Sequence, residues 1–134
     1  MTGQRRDLNR EKFKSENLLA VLNNPESNAN KNLKYLRNAM DVRSELKQFH
    51  PCSEMKCLSK GRSDIVVIKR GKGPESVFAI HNMTENKINY QLNDNDLPKI
   101  IDNDFNTHDF LTSTKYNCKN ISLDPFQVIW LSAL

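Results

Sequence analysis

The side chains that could carry chemistry in this chain are histidines, cysteines and carboxylates. The three histidines, His50, His81 and His108, are far apart, and no HxH or HxxxH spacing places two of them on one metal ion. The three cysteines form no CxxC pair, so reduced thiols are favoured over a disulfide framework or a zinc site. We therefore expect neither a metal nor a cofactor.

Two pairs of carboxylates are the remaining candidates for acid/base chemistry. Asp94 and Asp96, and then Asp102 and Asp104, fall in a polar stretch rich in Asn and Asp that is predicted to form a loop over residues 93–109. A glycosidase acid/base pair needs a rigid site that separates two carboxyl pKa values, and a solvated loop does not provide one. GxSxG, Walker and GxGxxG motifs are absent as well, so we predict no catalytic residue in this chain.

The first half of the chain is predicted to be helical, up to about residue 50. Ser15 is a candidate N-cap for a short helix that ends before Pro25. A longer helix is predicted over residues 27–49. It must end before Pro51, because the residue preceding a proline is disfavoured in the α region.

The longer helix has an unusually wide apolar face. At 100° per residue its apolar side chains cover an arc of about 200°, whereas a surface helix needs little more than ~100°. The arc comprises Leu33, Tyr35, Leu36, Ala39, Met40, Val42, Leu46 and Phe49. We therefore expect more than one neighbouring element to cover it. Arg43 lies near its centre, where it would either contact a substrate or, as we favour, pair with a carboxylate of a covering element.

The second half of the chain has strand patterns. An apolar run at residues 65–68 precedes a Gly/Pro turn, and residues 76–83 and 88–92 follow, which predicts a three-stranded antiparallel meander. Residues 55–58 are expected to form an edge strand, and further strands are predicted at 110–112 and 126–131. The predicted class is α+β, with N-terminal helices followed by a small antiparallel β-sandwich. Its core is expected to contain Phe78, Ile80, Val128 and Trp130, or their immediate strand neighbours.

Charge and hydropathy exclude several classes of partner. The net charge of +4 divides into +5 over residues 1–60 and −1 over the remainder, and the basic residues are spread along helices without a nucleic-acid-binding motif. No run approaches the ~18 apolar residues of a membrane span, and no apolar stretch follows the N-terminus as in a signal peptide. We expect a cytoplasmic protein that binds neither nucleic acid nor membrane.

Six short phrases, in order along the chain, carry a family resemblance. They are residues 6–10, 38–43, 49–51, 81–84, 109–112 and 123–131, the last reading Leu-Asp-Pro-Phe-Gln-Val-Ile-Trp-Leu. This series is similar to the C-terminal end of sucrose phosphorylase-type enzymes, in the α-amylase superfamily (glycoside hydrolase family 13).

The resemblance implies a (β/α)8-barrel enzyme that transfers a glucosyl unit between an α-glucoside and phosphate. Its Asp nucleophile and Glu acid/base would lie upstream of Met1. Residues 1–50 would be a remnant of the barrel, comprising its last loop and closing helix, and residues 51–134 the C-terminal β domain. By the family pattern Arg6, Asp7 and Asn9 would be substrate-binding, with the Arg6 guanidinium directed at phosphate or the acceptor sugar. Arg5 and Ser113 stand where the pattern has glycine.

These observations lead to one functional prediction and one alternative. We predict a C-terminal fragment of a sucrose phosphorylase-like glucosyltransferase that is inactive alone, with the missing barrel portion as its partner and with self-association through the exposed helix. The alternative is a free-standing accessory module that binds a sugar or a partner protein. Exposed aromatic side chains would favour the alternative, because sugars stack on them. Here Phe78, Tyr90, Phe126 and Trp130 are instead expected in the core.

Overall fold

The fold was obtained as a computed structural model, which describes residues 14–59, 61–93, 95–97 and 105–132. Contacts divide the chain into two compact units, one ending at Met40 and the other beginning at Asp41. The assignment of residues 1–50 to a barrel remnant and of 51–134 to a β domain stays a prediction. Within the described residues, neither helix combines the length and hydrophobicity that a membrane span requires.

Two α-helices begin the described chain: α1 covers Ser15–Asn23 and α2 covers Asn28–Glu45. Ser15 was predicted to cap α1, but Lys14 occupies the N-cap and makes no side-chain capping bond. Ser27 is the residue that caps, because its Oγ accepts a hydrogen bond from the Asn30 amide at the start of α2. The predicted helix to residue 49 ends earlier, at Glu45, and a 3₁₀ turn over Lys47–Phe49 completes the segment before Pro51.

Eight short strands follow in the part of the chain that the structure describes, and every ladder between them is antiparallel. They are β1 (Met55–Cys57), β2 (Ile65–Arg70), β3 (Val77–Asn82), β4 (Ile88–Tyr90), β5 (Asn106–His108), β6 (Lys115–Asn117), β7 (Ile121–Leu123) and β8 (Val128–Ser132). One sheet has the order β1-β2-β3-β8, while β4 pairs with β7 and β5 pairs with β6. The α+β class is therefore confirmed.

The predicted meander is correct for its first two strands and wrong for the third. β2 and β3 form a hairpin with β1 at the sheet edge, but β4 pairs with β7 instead of extending this sheet. Gly71 follows β2 with a φ of 80°, and a Cβ there would lie 2.9 Å from the Gln48 Cγ atom. The turn after β2 therefore requires glycine on two grounds, backbone conformation and close packing.

The hydrophobic core lies between the four-stranded sheet and the β4–β7 pair. Both layers contribute fully buried side chains: Ile65, Val67, Phe78, Ile80, Ile129 and Leu131 from the first, and Ile121 and Leu123 from the second. Phe78 and Ile80 are thus confirmed as core residues. On β8 the core is built by Ile129 and Leu131, the neighbours of Val128 and Trp130, which are only half-buried.

The strand predicted at 110–112 is wrong, whereas the strand predicted at 126–131 is present as β8 but begins later, at Val128. Residues 110–112 form a turn, held by the buried Asp109 carboxylate, which accepts hydrogen bonds from the Leu111 amide and the Thr112 hydroxyl. Phe126 precedes β8 in a second turn and is 65% exposed, whereas it was expected in the core. The predicted polar loop also contains β5. All three residues of this strand are polar, so the sequence has no apolar alternation there, and only Thr107 is buried.

Ser113 adopts the left-handed backbone conformation that a glycine at this position would favour. Its φ is 60°, and its amide donates a 2.7 Å hydrogen bond to the Asp109 carbonyl oxygen. A left-handed residue with a Cβ costs roughly 1–2 kcal/mol, part of which glycine returns as greater chain entropy in the unfolded state. We expect Ser113→Gly to raise the free energy of unfolding by about 0.5–1 kcal/mol, measured by denaturant titration.

The matched control for this substitution is Ser63→Gly. Ser63 is also exposed, but its φ is not positive. Glycine there relieves no strain and only increases the conformational entropy of the unfolded chain, which lowers stability. The control should be neutral or destabilising. Equal effects of the two substitutions would show that left-handed strain at Ser113 is not what is measured.

Candidate functional site

The substrate-binding residues expected from the resemblance, Arg6, Asp7 and Asn9, lie outside the described residues, as does Arg5. The structure therefore leaves this part of the prediction untested. Of the carboxylate pairs, Asp94, Asp102 and Asp104 also lie outside them. Asp96 is described, and its carboxylate pairs with Lys56 at 2.7 Å. The Asp96 side chain is only 12% exposed, so this ion pair is partly shielded from water.

Within the described chain, the histidines and cysteines do not assemble a reactive centre. No group of three or more His, Cys, Asp or Glu side chains there could hold a metal ion. Cys118 is buried, and burial raises the pKa of its thiol to about 11, so that it stays protonated and unreactive at neutral pH. His50 accepts a hydrogen bond at Nδ1 from the Cys52 amide, which makes this ring part of a turn.

An apolar concave surface lies on the face of the four-stranded sheet that points away from the core. The ladder registers place Cys57, Ile68, Ala79 and Trp130 side by side in one row across this face. The Phe49 ring packs on Trp130 with centroids 4.7 Å apart. Together these elements form a groove of about 470 Å³, lined by Arg43, Phe49, Pro51, Met55, Ile68, Arg70, Ala79, His81 and Trp130. We call it the outer-face groove.

Arg70 fixes one wall of the outer-face groove. Its Nε donates to the Gln48 carbonyl oxygen at 3.1 Å, and its Nη2 donates to the His50 carbonyl oxygen at 2.7 Å. The guanidinium thereby ties the segment after α2 to the sheet, and this segment carries Phe49 over Trp130. Arg70 is a structural anchor, since its donors satisfy carbonyl groups at the end of a helical segment.

Three polar side chains line the outer-face groove without an ion pair or side-chain hydrogen bond to another described residue: Arg43, His81 and Trp130. Arg43 is exposed and has no ion pair with any described residue, so the predicted salt bridge is not formed there. The indole Nε1 of Trp130 is buried, yet no described atom accepts its hydrogen bond. His81 is half-buried, and desolvation lowers its pKa, which favours the neutral ring.

The chemistry of this groove is that of a docking surface. Its walls are apolar, its lining includes the guanidinium groups of Arg43 and Arg70, and the buried Nε1 atom of Trp130 lacks an acceptor among the described residues. None of the described residues that line it carries a carboxylate, and His81 supplies an imidazole ring. Sequence reasoning missed the groove because it placed Trp130 in the core; the alternation along β8 allows either face, and only the pairing with β3 decides between them.

A larger groove of about 540 Å³ is lined mostly by residues with polar or charged side chains. Its lining includes Lys47, His50, Cys52, Lys72 and Glu75. Its charges are mutually neutralised, because Lys47 pairs with Glu75 at 2.7 Å and Lys72 pairs with Glu54 at 3.2 Å. These exposed ion pairs characterise a solvated surface, and we assign this groove no ligand.

Comparison with known proteins identifies the fold. No family model and no curated protein matches the sequence. The structure is similar to that of AmyP in complex with maltose, with a TM-score of 0.63 and 17% sequence identity over 80% of this chain and 21% of that one. It is also similar to trehalose-6-phosphate hydrolase from Bacillus licheniformis, with a TM-score of 0.58 and 18% identity over 85% of this chain and 20% of that one.

These similarities establish a shared fold at low sequence identity. The chain spans about a fifth of the length of each of the two enzymes. At 17% and 18% identity the similarity concerns the fold alone, and it singles out no enzyme type such as sucrose phosphorylase. The described chain thus has the fold of one segment of each of these two proteins.

Proposed function

We propose that this chain is the C-terminal segment of a sucrose phosphorylase-like glucosyltransferase in carbohydrate metabolism, and that it is inactive alone. The observation that carries the proposal is the fold similarity, which covers at least four fifths of this chain but only about a fifth of the enzymes compared. The order of the sequence phrases supports the finer assignment to the sucrose phosphorylase type. In this proposal the catalytic Asp and Glu belong to a barrel, and the chain contributes Arg6, Asp7 and Asn9 to substrate binding.

The outer-face groove supports the barrel portion of such an enzyme as the partner. The buried indole N–H of Trp130 lacks an acceptor among the described residues, and a covering element could supply that acceptor as well as a carboxylate for the exposed Arg43. Helix α2 supports self-association in the absence of that partner. It leaves Tyr35, Leu36 and Met40 exposed, with 56% of Leu36 and 62% of Met40 accessible to water.

The test is to assay the chain alone and with a sucrose phosphorylase barrel that lacks its own C-terminal segment. We expect no glucose 1-phosphate from sucrose and phosphate with the chain alone, because positioned carboxylates supply most of the rate. The mixture should recover activity, and the fluorescence of Trp130, the single tryptophan, should shift on mixing. Arg43→Ala should weaken the recovery, while Lys87→Ala, a cation remote from the groove lining, should not.

Two results would contradict the proposal. One is glucose 1-phosphate formation by the chain alone that exceeds a protein-free blank and is lost in Arg6→Ala. The other is a mixture in which Trp130 fluorescence and activity both stay unchanged at any ratio of the two components. The second result would favour a free-standing module.

A further inference from the structure

Phe126 is an exposed aromatic ring on an otherwise well-packed domain. Its exposed fraction of 65% is the largest among the large apolar side chains that the structure describes. Met83, 54% exposed, lies in the adjoining loop, and the two loops are joined by a 3.0 Å hydrogen bond from the Phe126 amide to the Thr84 carbonyl oxygen. The ring lies outside the hydrophobic core and is accessible to a ligand.

The backbone at Phe126 is held in a conformation that a bulky residue avoids. Its φ is 55°, in the left-handed region, where glycine would be free of steric penalty. Strained residues of this kind persist only where the surroundings over-determine them, and they concentrate at functional sites. Phe126 thus combines an unfavourable backbone conformation with an apolar ring that is exposed to water.

Four hydrogen bonds make the turn that carries Phe126 rigid. Besides the bond to Thr84, the Gln127 side-chain oxygen accepts from the Asp124 amide at 2.8 Å, and the Gln127 amide donates to the Asp124 carbonyl oxygen at 3.1 Å. The buried Asn82 side chain donates to the same Asp124 carbonyl oxygen at 2.8 Å. A rigid aromatic platform binds a ligand without losing conformational freedom on association.

Size and charge select the ligand class. A stable protein interface buries about 800 Å² on each partner, more than a patch of Phe126 and Met83 offers. Nucleic acid and anionic membranes need a basic surface, whereas the groups flanking the ring are Glu85, Asp124 and Lys87. A small neutral ligand with one apolar face and several hydroxyl groups fits both constraints.

We propose that Phe126 is a stacking platform for one sugar ring of a neutral oligosaccharide. The aliphatic C–H groups of a sugar ring carry partial positive charge and lie on the negative face of the phenyl ring. The exposed Lys87–Asp124 ion pair, 3.4 Å apart, then offers a donor and an acceptor to the sugar hydroxyls. This activity needs no barrel and is therefore independent of the proposed function.

The experiment titrates the full chain with maltoheptaose and, separately, with cellohexaose, using NMR shifts and calorimetry. We expect saturable binding of at least one of them, with shifts centred on residues 82–87 and 124–127. Phe126→Gly should weaken that binding about tenfold or more. The control Met55→Ala removes a side chain that is 63% exposed elsewhere on the domain and should leave binding unchanged.

Phe126→Gly also separates binding from folding. Because glycine relieves the left-handed strain, the melting temperature of this variant should stay level or rise while binding is lost. A fall in melting temperature would refute the strain argument. Equal affinity of the variant and the parent chain, absence of binding to both oligosaccharides, or a Phe126-dependent dimer in sedimentation would overturn the proposal.

Discussion

Replacing Asp109 with alanine should lower the free energy of unfolding by about 3–5 kcal/mol, much of the ~5–15 kcal/mol that stabilises a domain. The Asp109 side chain is fully buried and accepts three hydrogen bonds. Its Oδ1 accepts from the Trp130 amide at 2.7 Å and from the Leu111 amide at 3.2 Å, and its Oδ2 accepts from the Thr112 hydroxyl at 2.7 Å. Alanine would leave two backbone donors unsatisfied, and hydrogen bonds to a charged group contribute roughly 1.5–3 kcal/mol each.

The Asp109 carboxylate acts between two distant parts of the chain. It closes the turn after β5, and through Trp130 it holds this turn against β8, where the Phe110 amide also donates to the Trp130 carbonyl oxygen at 2.8 Å. Its loss should therefore uncouple the turn from the four-stranded sheet. The fluorescence of Trp130 gives a direct local readout of that change.

Two control variants allow the stability change in Asp109→Ala to be interpreted. Asp109→Asn retains an oxygen acceptor for the backbone amides, so its cost should be intermediate, about 1–2 kcal/mol. Asp124→Ala removes an exposed carboxylate on a surface ion pair and should change stability by no more than about 0.5 kcal/mol. A loss below about 1 kcal/mol in Asp109→Ala would show that solvent or local rearrangement satisfies the two amides.

The sequence predicts elements well where apolar periodicity is strong. The β2–β3 hairpin, the β1 edge and both helices follow from apolar runs, turns and a proline stop. It fails for β5, whose polar residues form a strand only because Thr107 is buried and donates to the Ser132 carbonyl oxygen at 2.6 Å. Tertiary hydrogen bonding, which no local pattern encodes, decides that segment.

The two aromatic residues that were wrongly placed show the same limit, since local sequence patterns do not contain the tertiary contacts that decide which side chains are buried. Phe126 and Trp130 both belong to an apolar stretch that fits a buried strand, yet one is exposed in a turn and the other faces away from the core. Asp109 was missed for a related reason: its Asp-Phe-Leu-Thr segment matches a side-chain-capped turn as well as a short strand. The expected substrate-binding residues Arg6, Asp7 and Asn9 lie outside the described residues and stay predictions.

Hydrogen exchange should divide the chain into a weakly protected helical part and a strongly protected β part. Neither α1 nor α2 contains a buried residue, and α1 has only nine residues, fewer than the ~12–15 at which an isolated helix becomes even marginally stable. Strands β2, β3 and β8 carry the fully buried Val67, Phe78, Ile80, Ile129 and Leu131. Core amides exchange only through global unfolding, whereas helix amides without buried support open locally.

We expect the slowest amides in β2, β3 and β8, intermediate rates in α2 and the fastest rates before about residue 30. A difference of about 3 kcal/mol in opening free energy would appear as a ratio above 100 between core and α1 rates. Val67→Ala should accelerate exchange across the whole sheet, since it removes buried methyl groups. Leu36→Ala, at a side chain that is 56% exposed, should affect α2 alone. Equal protection of helices and sheet in a demonstrated monomer would mean that the chain covers its own helices, and the proposal of a segment awaiting its barrel would then give way to a self-sufficient module.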